Sequence, residues 1–138
     1  MDTLTPAERS RLMSRIRGKD TKPELAVRRY LHGLGYRYRL HARELPGRPD
    51  IVFRPRRKVV FVHGCFWHQH GRCRAGRMPK SNTDYWTEKF SANKRRDRLA
   101  KLRLTRLGYR YLVVWECQIA RRFDAVAEKL VEFLDDEG

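Results

Sequence analysis

A single α/β domain, with a mixed central sheet flanked by helices, is the fold this sequence predicts, and three observations carry the prediction. Segments with helical and with strand periodicity interleave along the chain. Its 138 residues suffice to bury one core without asking for a second domain, so 1–138 is read as one unit. The longest apolar runs, Val59 to Val62 and Tyr111 to Trp115, fall far short of the roughly 20 residues that cross a bilayer. No membrane is expected.

The elements follow from local rules. Thr5, Pro6 and Glu8 form a capping box with proline at the first helical position, and Leu12, Met13 and Ile16 then predict a short basic helix within 1–18 that ends at Gly18. Thr21 and Glu24 repeat the cap. The spacing of Leu25, Val27, Tyr30, Leu31 and Leu34 carries a second helix to Gly35, a C′ stop. Tyr36, Tyr38 and Leu40 alternate with Arg37, Arg39 and His41, the signature of a half-buried strand. After a turn at Pro46, Gly47 and Pro49, strands are expected at Asp50 to Phe53 and Lys58 to His63, with a reversal at Arg54 to Arg57. Residues 64–82 show no periodicity. A compact domain tolerates so long an irregular segment when something staples it. A long basic helix from about Thr83 to Leu107, stopped by Gly108, leads to a buried strand at Tyr109 to Trp115. Phe123, Val126, Ala127, Leu130, Val131 and Leu134 then mark a closing amphipathic helix. The repeated Gly-Tyr-Arg-Tyr at Gly35 and Gly108 reflects the same helix-stop and strand-start rules twice, not a duplicated domain.

Charge narrows the partner. Thirty-two lysines and arginines face 16 acidic residues, a net charge of +16, and a field of that size draws in a polyanion, nucleic acid above all. The basic residues concentrate in Arg9 to Lys22 and Lys94 to Arg106, whereas Asp135, Asp136 and Glu137 make the C-terminus acidic. That end should face away from the ligand. The polar N-terminus lacks the apolar core of a secretory signal, so a reducing cytoplasm is expected, with cysteines as thiols or metal ligands.

Two constellations carry chemistry. Cys65, His70 and Cys73 fall within the irregular segment and Cys117 follows the late strand; three thiolates and one imidazole fill a tetrahedral zinc site. With four protein ligands no position is left for substrate, so the metal would be structural and would staple 64–82 to the strand. Gln69 and His41 are alternatives to His70 in that set. Separately, Pro49-Asp50 heads one strand beside Phe61-Val62-His63 on the next. That is the layout of metal-dependent nucleases with a PD-(D/E)xK motif, except that Phe61 and His63 stand where the second acid and the lysine belong.

These residues closely resemble the Vsr-type very short patch repair endonucleases, from about Ser10 to Cys117. The specific parts are Met13, Asp20-Thr21 with Glu24, Leu45 to Asp50, His63 to His68, Asn93 to Arg98, and Val114 to Cys117. The resemblance implies a restriction-endonuclease-like fold with a degenerate second half. It also implies magnesium-dependent nicking of one DNA strand 5′ to the thymine of a T:G mismatch, the lesion left when 5-methylcytosine deaminates. Carried over, Asp50 becomes the central magnesium ligand with the backbone carbonyl of Val62. His68 becomes the general base, oriented by Asp97, while His63 and Glu24 hold phosphate and hydrated metal. Phe66 and Trp67 look like a wedge between base steps, with Met13 its partner from the opposite groove. Two departures stand out: Val62 replaces the family's usual threonine, and His70 and Cys73 are one residue further apart than expected. The partner implied is double-stranded mismatched DNA, met by a monomer, with repair proteins left open. A related nickase of different mismatch or sequence specificity, and a zinc-stapled DNA-binding module without catalysis, are the rival readings.

Overall fold

The computed structural model describes residues 21–65 and 80–136. The basic helix expected within 1–18, with Met13, and the segment carrying Phe66, Trp67, His68, His70 and Cys73 lie outside the described residues.

Helix α1 (Lys22–Gly33) begins as the cap predicts, with Thr21 Oγ1 accepting from the Glu24 amide at 3.4 Å and proline in the first turn. Gly35, at φ +98°, turns the chain out of it. Among the described residues the sheet holds four strands, β1 (Arg39–Leu40), β2 (Ile51–Phe53), β3 (Lys58–His63) and β4 (Arg110–Trp115), in that spatial order. β1 pairs with β2 and β2 with β3 in antiparallel fashion, and β4 lies parallel to β3. The sheet is mixed because the long helix α2 (Thr83–Arg106) lies between β3 and β4, long enough for the return crossing that parallel pairing needs. The short helix α3 (Glu116–Arg121) and α4 (Phe123–Asp135) close the chain.

Strand alternation sorts the core into two layers. Ile51, Phe53 and Val60 join Val27 and Leu31 of α1, Ile119 of α3, and Val126, Leu130 and Leu134 of α4. Val52, Val59 and Phe61 point to the other face, against Leu104 of α2 and the loop residues Ala42 and Leu45. β2 and β3 are therefore apolar on both faces, as strands covered by helices on two sides should be.

Three expectations needed correction. The strand expected over Tyr36 to His41 pairs only at Arg39 and Leu40. In that register Pro55 falls opposite Tyr36, and the Arg54–Arg56 turn ends β2 before a ladder can form. The tyrosines pack inward all the same, Tyr36 and Tyr38 edge-on to Phe53 at 6.3 and 5.9 Å. β4, expected to be buried, is the edge strand among the described residues, and Tyr111 is 39% exposed. α3 was not foreseen, because six residues span too little chain to display a helical period.

The two ends of the sheet differ in character. At the start of β3 the buried Lys58 donates to the carbonyls of Phe133 (2.6 Å) and Leu134 (3.3 Å) and reaches that of Asp136, so its ammonium caps α4. Tyr36 donates to Asp135 (2.5 Å), and Arg110 pairs with Asp136 (3.1 Å). The acidic residues Asp135 and Asp136 are thus spent at this end. Asp50 and His63 stand at the other.

Candidate active site

The site begins with a turn. Residues 45–50, Leu-Pro-Gly-Arg-Pro-Asp, lead from β1 into β2, and Gly47 (φ +77°) lies flat on α2: a Cβ there would stand 2.7 Å from the Cβ of Ala100 and 3.3 Å from the ring of Phe61. Only glycine suits both the backbone angle and the space. The turn is tied back by the Ala42 amide to the Pro49 carbonyl (3.3 Å) and the His41 amide to the Asp50 carbonyl (3.1 Å).

Asp50 emerges where β2 starts. Its Oδ2 accepts the Val62 amide at 2.7 Å, so the side chain extends the pairing of β2 with β3 by one bond. Oδ1 faces the imidazole of His41, 3.9 Å from Nδ1. The other ring nitrogen of His41, Nε2, stands 3.1 Å from Oε2 of Glu24, an oxygen that accepts from Arg28 at 3.0 Å. The Glu24 side chain is only 4% exposed, and Arg28 and His41 are the cationic and potentially cationic neighbours that offset its burial. Glu24, His41 and Asp50 each offer one ligand atom within 4.8 Å of the others. Two carboxylates and an imidazole at that spacing form a donor set fit for a divalent cation.

The remaining expected residues fall around this group. His63 ends β3 and is buried, its ring edge-on to Trp115 at 5.1 Å and tilted to Phe61 at 5.6 Å. Phe61, standing where the motif has an acid, is a core residue against α2. Val62 is half-buried between them. Asp97 lies half-buried on α2, three residues before Ala100 and so on the helix face that meets the Gly47 turn. Of the expected zinc ligands, Cys65 is buried and Cys117 half-buried. His63 pairs with Trp115 in the parallel register, so each cysteine sits two residues past a paired strand end. The Cys65 amide donates to Oε1 of Glu116, the neighbour of Cys117, at 2.9 Å.

His41 was missed as a member of the Asp50 group. Its strand pattern marks it as an outward polar residue, but the hairpin register that pairs Leu40 with Ile51 puts His41 opposite Asp50. That register was the available signal.

A carboxylate at the head of one strand, an adjoining strand that holds it by a backbone amide, and helices on both faces make up a restriction-endonuclease-like nuclease fold. The family model described as DNA mismatch endonuclease Vsr matches residues 1–74. A type II nicking enzyme of Xanthomonas oryzae pv. oryzae, V.XorIIP, is 51% identical over 97% of this chain and 97% of its own length. The DNA mismatch endonuclease Vsr of Escherichia coli is 40% identical over 99% of this chain and 90% of its own. A type II nicking enzyme of Neisseria meningitidis, V.NmeAIP, is 44% identical over 88% and 86%. The chain belongs to the Vsr family and is a DNA endonuclease, a class of phosphodiester hydrolase that works with divalent cations.

Proposed function

We propose that this endonuclease nicks one strand of double-stranded DNA 5′ to the thymine of a T:G mismatch, with magnesium as its cofactor. The observation that carries the reading is the Asp50 carboxylate, fixed by the Val62 amide and gathered with Glu24 and His41 at one end of the sheet. Asp50 and the Val62 carbonyl would hold the cation, with DNA phosphate and water completing its shell. A bound cation would neutralise charge on the scissile phosphate and the leaving oxygen. His68 takes the proton of the attacking water and Asp97 orients it; His63 and Glu24 position phosphate and ordered water. Phe66, Trp67 and Met13 unstack the duplex where pairing is weak, at a cost of a few kcal/mol per step that a mispair reduces.

Cys65, His70, Cys73 and Cys117 would hold a structural zinc ion, which would staple the 64–82 segment to the end of β4. The matched placement of Cys65 and Cys117 beyond β3 and β4 supports this role. Cys117→Ser should release one zinc per chain and destabilise the domain; a folded variant that retains its metal would remove the claim. Valine at position 62, in place of the threonine usual in the family, favours one second reading, a nickase of altered mismatch or sequence preference. Nicking assays on matched, T:G and other mismatched duplexes, with magnesium and then with EDTA, decide. Cleavage confined to T:G and abolished by EDTA supports the proposal, and binding without cleavage under every divalent metal defeats it.

A further inference from the structure

We propose that His41 is a direct ligand of the divalent cation held at Asp50. The active-site cation would then have one imidazole nitrogen beside its carboxylate oxygens, and the site would favour manganese over magnesium more strongly than an all-oxygen site does. The inference rests on the reading of Asp50 as a metal ligand and gives His41, which that reading leaves without a role, the task of a second ligand.

Three features converge on His41. It leaves β1 at φ +48°, a left-handed conformation uncommon outside glycine. There its own amide bonds to the Asp50 carbonyl, at 3.1 Å, so ring and carboxylate are fixed on one piece of hairpin. The ring lies between two acids of different elements, Glu24 of α1 and Asp50 of the β2 start, at 3.1 and 3.9 Å. With metal–ligand bonds of about 2.1 Å, two ligand atoms on one ion stand roughly 3 to 4 Å apart; the 3.9 Å between His41 Nδ1 and Asp50 Oδ1 falls in that range, while Nε2, on the far side of the ring, faces Glu24 and holds the ring in place. Finally, Oδ2 of Asp50 is taken by the Val62 amide, so the oxygen offered to a cation is the one that faces His41.

Imidazole suits transition ions better than it suits magnesium, which prefers oxygen and holds its water tightly. Manganese is the probe of choice, because thiolates at Cys65 and Cys117 compete for it weakly. The full-length protein, bound to a T:G duplex, is loaded with manganese and examined by pulsed electron paramagnetic resonance for nitrogen-14 modulation. Manganese affinity is measured by continuous-wave titration and magnesium affinity by competition. Wild type should show directly bound nitrogen. His41→Asn, whose side chain tolerates the left-handed backbone but is too short to replace the ring, should lose that signal and weaken manganese at least about tenfold, magnesium less. His41→Gln serves as a second variant, and thermal melts establish that each is folded. Persistent nitrogen modulation in both variants, or none in wild type, overturns the inference. Asp50→Asn separates the two levels: if it abolishes manganese binding while the His41 variants bind manganese like wild type and keep the nitrogen signal, the Asp50 reading stands and the His41 ligand fails. If Asp50→Asn binds manganese like wild type, both fail.

Discussion

Replacing Gly47 with alanine tests how the Asp50 carboxylate is aimed. A left-handed backbone angle costs a non-glycine residue about 1–2 kcal/mol. A Cβ placed 2.7 Å from that of Ala100 and 3.3 Å from the Phe61 ring adds overpacking of about 1–3 kcal/mol, since neither neighbour is the free end of a flexible chain. Together these predict a loss of about 2–5 kcal/mol. For a chain of 138 residues, with about 2.1 cal/mol/K per residue of unfolding entropy, that lowers Tm by roughly 7–17 °C. The turn also carries Pro49 and Asp50, so a 1 Å displacement should cost nicking about 100-fold even at temperatures where the variant is folded. Calorimetry and urea unfolding give the first number, and single-turnover nicking of a T:G duplex gives the second. Adding Ala100→Gly removes the closest clash but leaves the backbone angle. The double variant should therefore lose less than the two single losses summed, by about 1 kcal/mol or more. A Gly47→Ala protein within about 0.5 kcal/mol of wild type, or a strictly additive double variant, would refute the reasoning.

Four further outcomes are expected. Asp50→Asn keeps an oxygen for the Val62 amide but loses the charge, so nicking should fall by at least about 100-fold while gel-shift binding of duplex is retained. DNA affinity, if six to ten phosphates are gripped, should drop by roughly 10³ to 10⁵ between about 50 and 200 mM salt, measured by fluorescence anisotropy. Lys58→Met strips the end of α4 of its ammonium and should cost about 1–3 kcal/mol, with hydrogen exchange rising first in the last turn of that helix. The hydrogen bond to Asp135 raises the Tyr36 hydroxyl above its ordinary value of 10.0, with burial adding to it. The stabilisation that this hydroxyl provides is then fully present below about pH 10 and is lost as pH climbs through the raised value. The stability gap between wild type and Tyr36→Phe should accordingly be flat up to that point and narrow beyond it.

Much of the frame was legible because it is set by local chemistry. The Thr21 cap, the bounds of β3, and the stop at Gly108 after α2 follow from capping, alternation and glycine placement alone. Pro49-Asp50 beside Val62 was legible too, since a turn dipeptide followed by two short strands fixes which residues adjoin. What escaped was set at longer range. The tyrosines of 36–38 look like a strand because they are buried alternately, yet Pro55 across the hairpin denies them a ladder. The Glu24 signature was read as a helix cap with a catalytic role by resemblance. That its carboxylate also meets His41 depends on the angle at which α1 crosses the sheet, which no periodicity records.

The bond from the Val62 amide to Oδ2 of Asp50 would make one side chain, on the proposed reading, both reagent and stitch. Chemistry and architecture would thereby be yoked at this position. Alanine there leaves a half-buried N–H unsatisfied as well as a cation unheld, whereas asparagine can still close the seam. A lineage drifting toward a DNA binder that no longer cuts would accordingly pass more readily through asparagine than through any apolar residue.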